Sequence, residues 1–416
     1  MAANPSPVVS PRFDAERVRR DFPILETLVN GRPLVYLDSA ASAQRPNAVL
    51  RAVEAYETHS HANVHRGVHA LSQAATAAYE GARERVRRFI NARSTREIIF
   101  VRGTTEGINL VSQAWARPRL RPGDEILISA LEHHSNIVPW QLVCEQTGAT
   151  LRVAPINASG ELELEQFLAL LGPRTRVVGV AHVSNALGTV LPVKRLIEAA
   201  HAVGAVVLVD GAQAVPHTRV DVRELGADFY VFSGHKLYGP TGIGVLYGRE
   251  ELLAAMPPWQ GGGEMILTVS FEKTTYNELP WKFEAGTPNI SGAVGLAAAM
   301  DYLESLGLDA VAAHEQRLLE LATAELARLP DIRIVGTAAH KASLLSFAMK
   351  GVHPHDLGTV LDTEGVAVRT GHHCAMPVMT FFDLPGTARA SFACYNTEHD
   401  VGELVRALRK AREVFA

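Results

Sequence analysis

Cysteine is scarce in this chain of 416 residues: only Cys144, Cys374 and Cys394 occur, with no C-x-x-C among them. Neither a disulfide framework nor a zinc ribbon can be built from such a set, and the odd count leaves free thiols suited to a reducing compartment. Long apolar runs are missing too. Nothing approaches the roughly 18–20 consecutive apolar residues that span a bilayer, and the opening MAANPSPVVSPRFDAERVRRDF lacks an apolar h-region, so an unexported, cytoplasmic protein without a membrane segment is expected. Neither charge sign dominates: 40 Lys and Arg stand against 44 Asp and Glu, net −4, without long like-charge runs, which disfavours a nucleic-acid or anionic-membrane partner. Both G-x-G-x-x-G and G-x-x-x-x-G-K-[ST] are absent, which removes the usual nucleotide phosphate loops. There is no internal repeat and no low-complexity segment.

What is present is enough apolar sequence, 47%, for a large core and two or three domains. From about Pro33 to Gly248 short β-branched runs alternate with helical stretches, the pattern of βαβ units around a mainly parallel sheet. REIIFV (to Val101), DEILIS (to Ser129), TLRVAPI (to Ile156), RVVGVAHV (to Val183), AVVLVD (to Asp210), DFYVFS (to Ser233) and GIGVLYG (to Gly248) read as mostly buried strands. Helices are expected over 106–116, 136–147, 164–171 and 193–202, with Gly148, Gly172 and Gly204 as stops. The polar stretch from Gly261 to Asn289 breaks the alternation and reads as a functional excursion. A long helix pair follows, then LLSFAMK, VAVRT and ARASFAC, then a final helix capped by Asn396 or Thr397. The expected division is an N-terminal segment over 1–25 packing on the small domain, a large domain over 26–300 and a smaller α/β domain over 301–416.

In open parallel sheets ligands bind beyond the carboxyl ends of the strands. After REIIFV comes Arg102-Gly-Thr104-Thr105-Glu106, a turn opening a helix where free N–H groups favour a phosphate, although an ordinary N-cap reads the same way. Asp210 ends AVVLVD, with Gln213 one turn on, and Ser233 ends DFYVFS, followed by Gly234-His235-Lys236. If those strands are neighbours, a carboxylate and an amine share one crevice. Pyridoxal phosphate needs an amine for its Schiff base, a carboxylate for its ring nitrogen and donors for its phosphate; Lys236, Asp210 and the group Thr104, Thr105, Ser233 and His235 supply them. A buried Asp–Lys ion pair is the structural alternative. Glu132-His133-His134, after DEILIS, offers one imidazole to stack on a flat cofactor or shuttle a proton, or is a pair of helix-entry polar residues. Asn185, after RVVGVAHV, is a polar contact or a turn residue, and Arg389 either binds a substrate carboxylate bidentately or is a surface arginine. In Arg369-Thr-Gly-His372-His373-Cys374-Ala-Met-Pro, a cysteine beside two histidines has the look of an accessible, activated thiol. A metal site is disfavoured there because adjacent histidines rarely place both rings on one ion and no second Cys/His pair lies nearby.

Taken together, YLDSAASAQRP, VHRGVHALS, RGTTEGINLV, EHHSNIVPW, HVSNALGTV, VDGAQAVPH, FSGHKLYGPTGIGVLYG, GGGEMI, FEAGTPNI, RTGHHCAMP and RASFACYNT resemble, in order, the motifs of SufS-type (group II) cysteine desulfurases. SGHKLYGPTGIG and RTGHHCAMP are the specific pieces. The resemblance implies a fold-type I, class V aminotransferase-like α/β architecture and a homodimer. It implies that Lys236 carries pyridoxal 5'-phosphate, Asp210 partners its ring nitrogen, Gln213 contacts its ring oxygen and His133 stacks on it. Thr104, Thr105, Ser233 and His235 match the phosphate cup, and Gly286-Thr287 would reach the phosphate of the neighbouring subunit. Asn185 and Arg389 match the clamp on the substrate carboxylate, Arg369 and His65 match further active-site positions, and Cys374 matches the cysteine that takes sulfur from L-cysteine as a persulfide. A SufE- or SufU-type acceptor and delivery to iron–sulfur cluster assembly are implied as well. Selenocysteine lyase or cysteine sulfinate desulfinase activity would share every residue except the need for Cys374. Another aminotransferase or lyase on this fold would leave the RTGHHC loop without a purpose, and a non-catalytic scaffold would not need Lys236, Asp210 and Cys374 together.

Overall fold

The computed structural model of the protein describes residues 13–416. The seven apolar runs pair into one sheet: β1 (Ile98–Val101), β2 (Glu125–Ser129), β3 (Thr150–Ala154), β4 (Thr175–Ala181), β5 (Val206–Asp210), β6 (Phe229–Ser233) and β7 (Gly244–Gly248). Their spatial order is β1-β7-β6-β5-β4-β2-β3. Every pairing from β6 to β3 is parallel, while β7 runs antiparallel to both neighbours. The cause is the connection from β6 to β7, which is shorter than the dozen or more residues a parallel crossover needs. Alternate residues face opposite cores: Phe100, Val178 and Val207 lie in one apolar cluster, Ile99, Val177 and Leu208 in the other. Two strands end two residues earlier than their apolar runs do, and β3 sits at the sheet edge, where Val153 is half exposed.

The helix expected over 193–202 forms as Val193–Ala202, and Gly148 closes Val138–Thr147 in the left-handed conformation. The helix after β1 starts two residues earlier than expected, at Thr104, and from Val111 to Ala116 widens into a π-helical turn. The C-terminal part has its own antiparallel sheet of β8 (Ile332–Val335), β9 (Leu344–Met349), β10 (Arg369–Gly371) and β11 (Thr387–Ser391), in the order β8-β9-β11-β10. VAVRT does not stay one strand: Arg369–Gly371 pairs with β11, whereas Val366–Ala367 pairs in parallel with Val35–Tyr36. A piece of the first forty residues is thus built into the C-terminal unit.

Residues 1–12 of the expected N-terminal segment lie outside the described residues. From its remainder, Arg19 reaches the Leu34 and Tyr395 carbonyls and Asp400, and the buried Phe22 packs among Tyr238, Tyr302 and Tyr395. The final helix, Glu398–Phe415, starts with a reciprocal cap between Thr397 and Asp400. Among the described residues no helix is long and apolar enough to cross a membrane.

Candidate active site

Three strand ends make the floor of one cleft. Asp210 is the last residue of β5, and Lys236 lies in the short turn Gly234–Lys236 immediately after β6, the parallel neighbour of β5. Thr104 opens the helix after β1 and is fastened to Ser233: its amide donates to Ser233 Oγ at 2.8 Å, and the two hydroxyl oxygens are 2.7 Å apart. That junction needs glycine at the start of β7, since a Cβ on Gly244 would meet Gly103 Cα at 2.6 Å and Phe232 O at 2.7 Å.

The cleft has a volume of about 400 Å³ and is lined by Thr104, Thr105, His133, Asn185, Asp210, Gln213, Ser233, His235, Lys236, Arg369, Cys374 and Arg389. The expected residues that do not line it are His65, Gly286 and Thr287. His65 lies with Nε2 2.8 Å from Glu80 and Nδ1 2.8 Å from Glu264. Gly286 and Thr287 line a second cavity that also takes in Arg102, Glu106, Trp259 and Gln260. Those four residues also border a groove that runs along the outer side of Thr104, Thr105, Ser233 and His235.

Burial sets the electrostatics. Lys236 is lowered to about 8, chiefly by desolvation, against the attraction of Asp210. Desolvation raises the carboxyl of Asp210, although its Oδ1 accepts the Ala212 amide at 2.9 Å. His133 is lowered to about 4 by burial and then by Lys236, so its ring is neutral near pH 7. The Ser135 amide donates to His133 Nδ1 at 3.0 Å, which leaves the proton of the neutral ring on Nε2. Gln213 holds its place by donating Nε2 to the Ala40 carbonyl at 2.6 Å.

The small sheet supplies the other wall. Arg389 is buried and lowered to about 10 by desolvation. One of its amino groups donates to the Asn185 carbonyl at 2.7 Å, another is 3.6 Å from Asp38, and Nε has no partner among the described residues. Arg369 joins the same Asp38 at 2.7 Å. Asp38 falls in the quoted YLDSAASAQRP string, which assigns it no role. Its role as counter-ion to two arginines more than 330 positions away has no local signal. Glu132, in the quoted EHHS string, is another unassigned participant: buried and raised to about 7 by desolvation, it accepts from Ser129, Asn136 and the Ala181 amide and ties β2 to β4 beneath His133. Cys374 is exposed on the loop leaving β10, with φ of +54° at both His373 and Cys374. Among the described residues no three His, Cys, Asp or Glu side chains converge on a metal-sized site.

These residues fit pyridoxal phosphate. A buried carboxylate that burial disfavours gains from a protonated ring nitrogen, a lysine with a lowered pKa suits an aldehyde, and a neutral imidazole suits a flat ring. Arg389 Nε, buried without a partner among the described residues, is a donor still free for an acceptor. The aminotransferase class-V family model matches residues 35–404. The chain belongs to that family. Among class-V relatives, a cysteine desulfurase of Enterobacter sp. (strain 638) is 55% identical over 399 residues, 96% of this chain and 98% of that protein. A cysteine desulfurase of Synechococcus elongatus is 53% identical over 398 residues, and this chain spans only 64% of its length. The crystal structure of the cysteine desulfurase CsdA from Escherichia coli has a TM-score of 0.91 at 46% identity, covering 97% of this chain and 100% of that one.

Proposed function

We propose that this class-V chain is a pyridoxal-phosphate-dependent cysteine desulfurase of the kind its SufS-like motifs suggest. It converts L-cysteine to L-alanine and leaves the sulfur on Cys374 as a persulfide. The observation that carries this reading is an exposed thiol, Cys374, in the wall of the cleft whose floor holds Lys236 and Asp210.

When bound, the cofactor supplies an aldehyde that joins an amine and a ring that draws electrons from the substrate's α-carbon. The chain's own residues do the rest. Lys236, with its lowered pKa, has an appreciable neutral fraction near pH 8; it would hold the cofactor's aldehyde and, when its amine is free, take the proton from the substrate's α-carbon. Asp210 would keep a proton on the ring nitrogen, His133 would lie against the ring, and Thr104, Thr105, Ser233 and His235 would hold the phosphate. Arg389 and Asn185 bind the substrate carboxylate, with Arg369 beside them. The Cys374 thiolate attacks the substrate sulfur: an S–S bond forms, the C–S bond breaks, and the electron pair returns to carbon, where protonation yields alanine.

The active unit is a homodimer. Gly286 and Thr287 line a cavity apart from the main cleft that shares residues with the groove along the phosphate turn, which supports the reading that they serve the phosphate of a neighbouring subunit. The hairpin of Ile266–Val269 and Thr274–Tyr276 leaves Leu267, Val269, Phe271 and Tyr276 exposed, an apolar set that a second copy would cover. A SufE- or SufU-type thiol acceptor would take the sulfur onward to iron–sulfur cluster assembly. We further propose that the large and small units divide near residue 300.

The test measures alanine from L-cysteine with a reducing thiol for wild type and Cys374→Ala, with mass spectrometry for added sulfur on Cys374. Alanine and a Cys374 persulfide, both lost in the variant, are expected. Undiminished alanine in the variant would indicate a selenocysteine-lyase- or desulfinase-like enzyme.

A further inference from the structure

Cys374 sits on backbone that an L-residue adopts reluctantly. φ is +54° at both His373 and Cys374, and consecutive left-handed residues persist only where their surroundings hold them. What holds them is identifiable. The Asn185 side-chain amide donates to the His373 carbonyl at 2.5 Å, and His373 Nε2 lies 2.7 Å from Thr387 Oγ1. Both of these restraints act on the N-terminal side of the cysteine.

Beyond Cys374 the Ala375 amide closes a turn on the His372 carbonyl at 2.9 Å, and the hydrogen bonds that reach Cys374 and Met376 from outside the loop come, among the described residues, from His134. The backbone N–H of His134 donates to the Cys374 carbonyl at 2.7 Å. The ring of the same residue accepts the Met376 amide on Nε2 at 3.0 Å, across 242 positions of sequence. His134 directly follows His133, and their rings are 6.2 Å apart. The segment that presents one imidazole to the cofactor position therefore also holds the loop that presents the thiol.

We propose that His134 is the positioning residue of the Cys374 loop, its amide and Nε2 together fixing the thiol over the cleft. It does not line the cleft; it acts through the backbone of Cys374 and Met376. Because an N–H donates to Nε2, that nitrogen must be unprotonated. Any side chain that presents an acceptor at the same reach should therefore serve in part. Glutamine does so through its carbonyl oxygen, and alanine does not, while the backbone bond to Cys374 survives both changes.

This inference rests on the desulfurase reading, and the experiment separates the two. His134→Ala and His134→Gln holoenzymes are compared with wild type in three measurements. These are the spectral change on mixing with L-cysteine, the rate of sulfur appearance on Cys374 by mass spectrometry, and hydrogen exchange at the Met376 amide. In His134→Ala the spectral change should keep its wild-type rate, sulfur transfer should slow by about five- to tenfold, the worth of one hydrogen bond, and Met376 exchange should quicken. His134→Gln should recover most of both losses. The inference is overturned if sulfur transfer in the alanine variant matches wild type, if both chemical steps slow equally, or if glutamine is no better than alanine. Should either variant fail to load cofactor, exchange at Met376 still decides: equal rates in glutamine and alanine variants overturn it. Absence of sulfur on Cys374 in the wild type would instead defeat the desulfurase reading.

Discussion

Arg83 is wholly buried on the helix Ala70–Phe89, and its removal is the sharpest stability test the structure offers. Its guanidinium donates to Glu284 at 2.6 and 2.9 Å, to Glu80 at 2.9 Å and to the Ile98 carbonyl at 2.9 Å. Glu284 is itself buried and accepts the Phe100 amide at 2.7 Å and the Tyr79 hydroxyl at 2.9 Å. Arg83→Met keeps the apolar stem but strands the Glu284 charge, a change that costs about 3–5 kcal/mol. The two remaining donors to Glu284 soften the loss, so about 3 kcal/mol is expected. Adding Glu284→Gln removes the stranded charge while an amide oxygen still accepts from Phe100 or Tyr79. The double variant should therefore lie only about 1–2 kcal/mol below wild type. Urea denaturation at pH 7, followed by circular dichroism and tryptophan fluorescence, measures all three. A single variant that loses under about 1 kcal/mol, or a double variant no more stable than the single, would refute the stranded-charge argument.

Lys236→Ala should bind cofactor without the absorbance of the lysine-bound form; a retained, borohydride-reducible chromophore would sink that assignment. Because burial lowers Lys236 to about 8, capture of pyridoxal phosphate by the apoenzyme should quicken with pH and level off above about 8, and a rise continuing toward the ordinary lysine value of 10.5 would contradict it. The pKa of His65 is raised, first by its hydrogen bond to Glu80 and further by Glu264, against the opposing effect of burial. Its stabilisation is then complete below the unfolded imidazole value of about 6.5 and is lost as pH rises through the raised value. The gap in urea midpoint between wild type and His65→Gln should accordingly be wider at pH 6 than at pH 9, and an equal gap would count against the ion pair.

Much of the cleft was legible because it is built from strand ends. Asp210, Ser233 and Thr104 each stand at or just beyond the close of an apolar run, and parallel neighbours bring such ends to one edge. Cys374 was legible through its motif. The rest depends on partners far away in sequence. VAVRT has one apolar pattern yet pairs with two different strands, and nothing in its five residues says so. His134 reads as the lesser of two adjacent histidines until the loop that carries Cys374 is folded against it.

By itself the sequence determined the local elements, the mainly parallel sheet and the identity of the chemically equipped residues. Periodic burial and strand-end placement are properties of short stretches of chain, and the specific motifs carry their residue types with them. Only the tertiary structure decided the antiparallel turn of β7, the sharing of Asp38 by Arg369 and Arg389, the pairing of His65 with Glu80 and Glu264, and the two-handed hold of His134 on the Cys374 loop. Each of these is a contact between distant segments. Its energy depends on burial and on the partner's position, neither of which exists until the chain has folded.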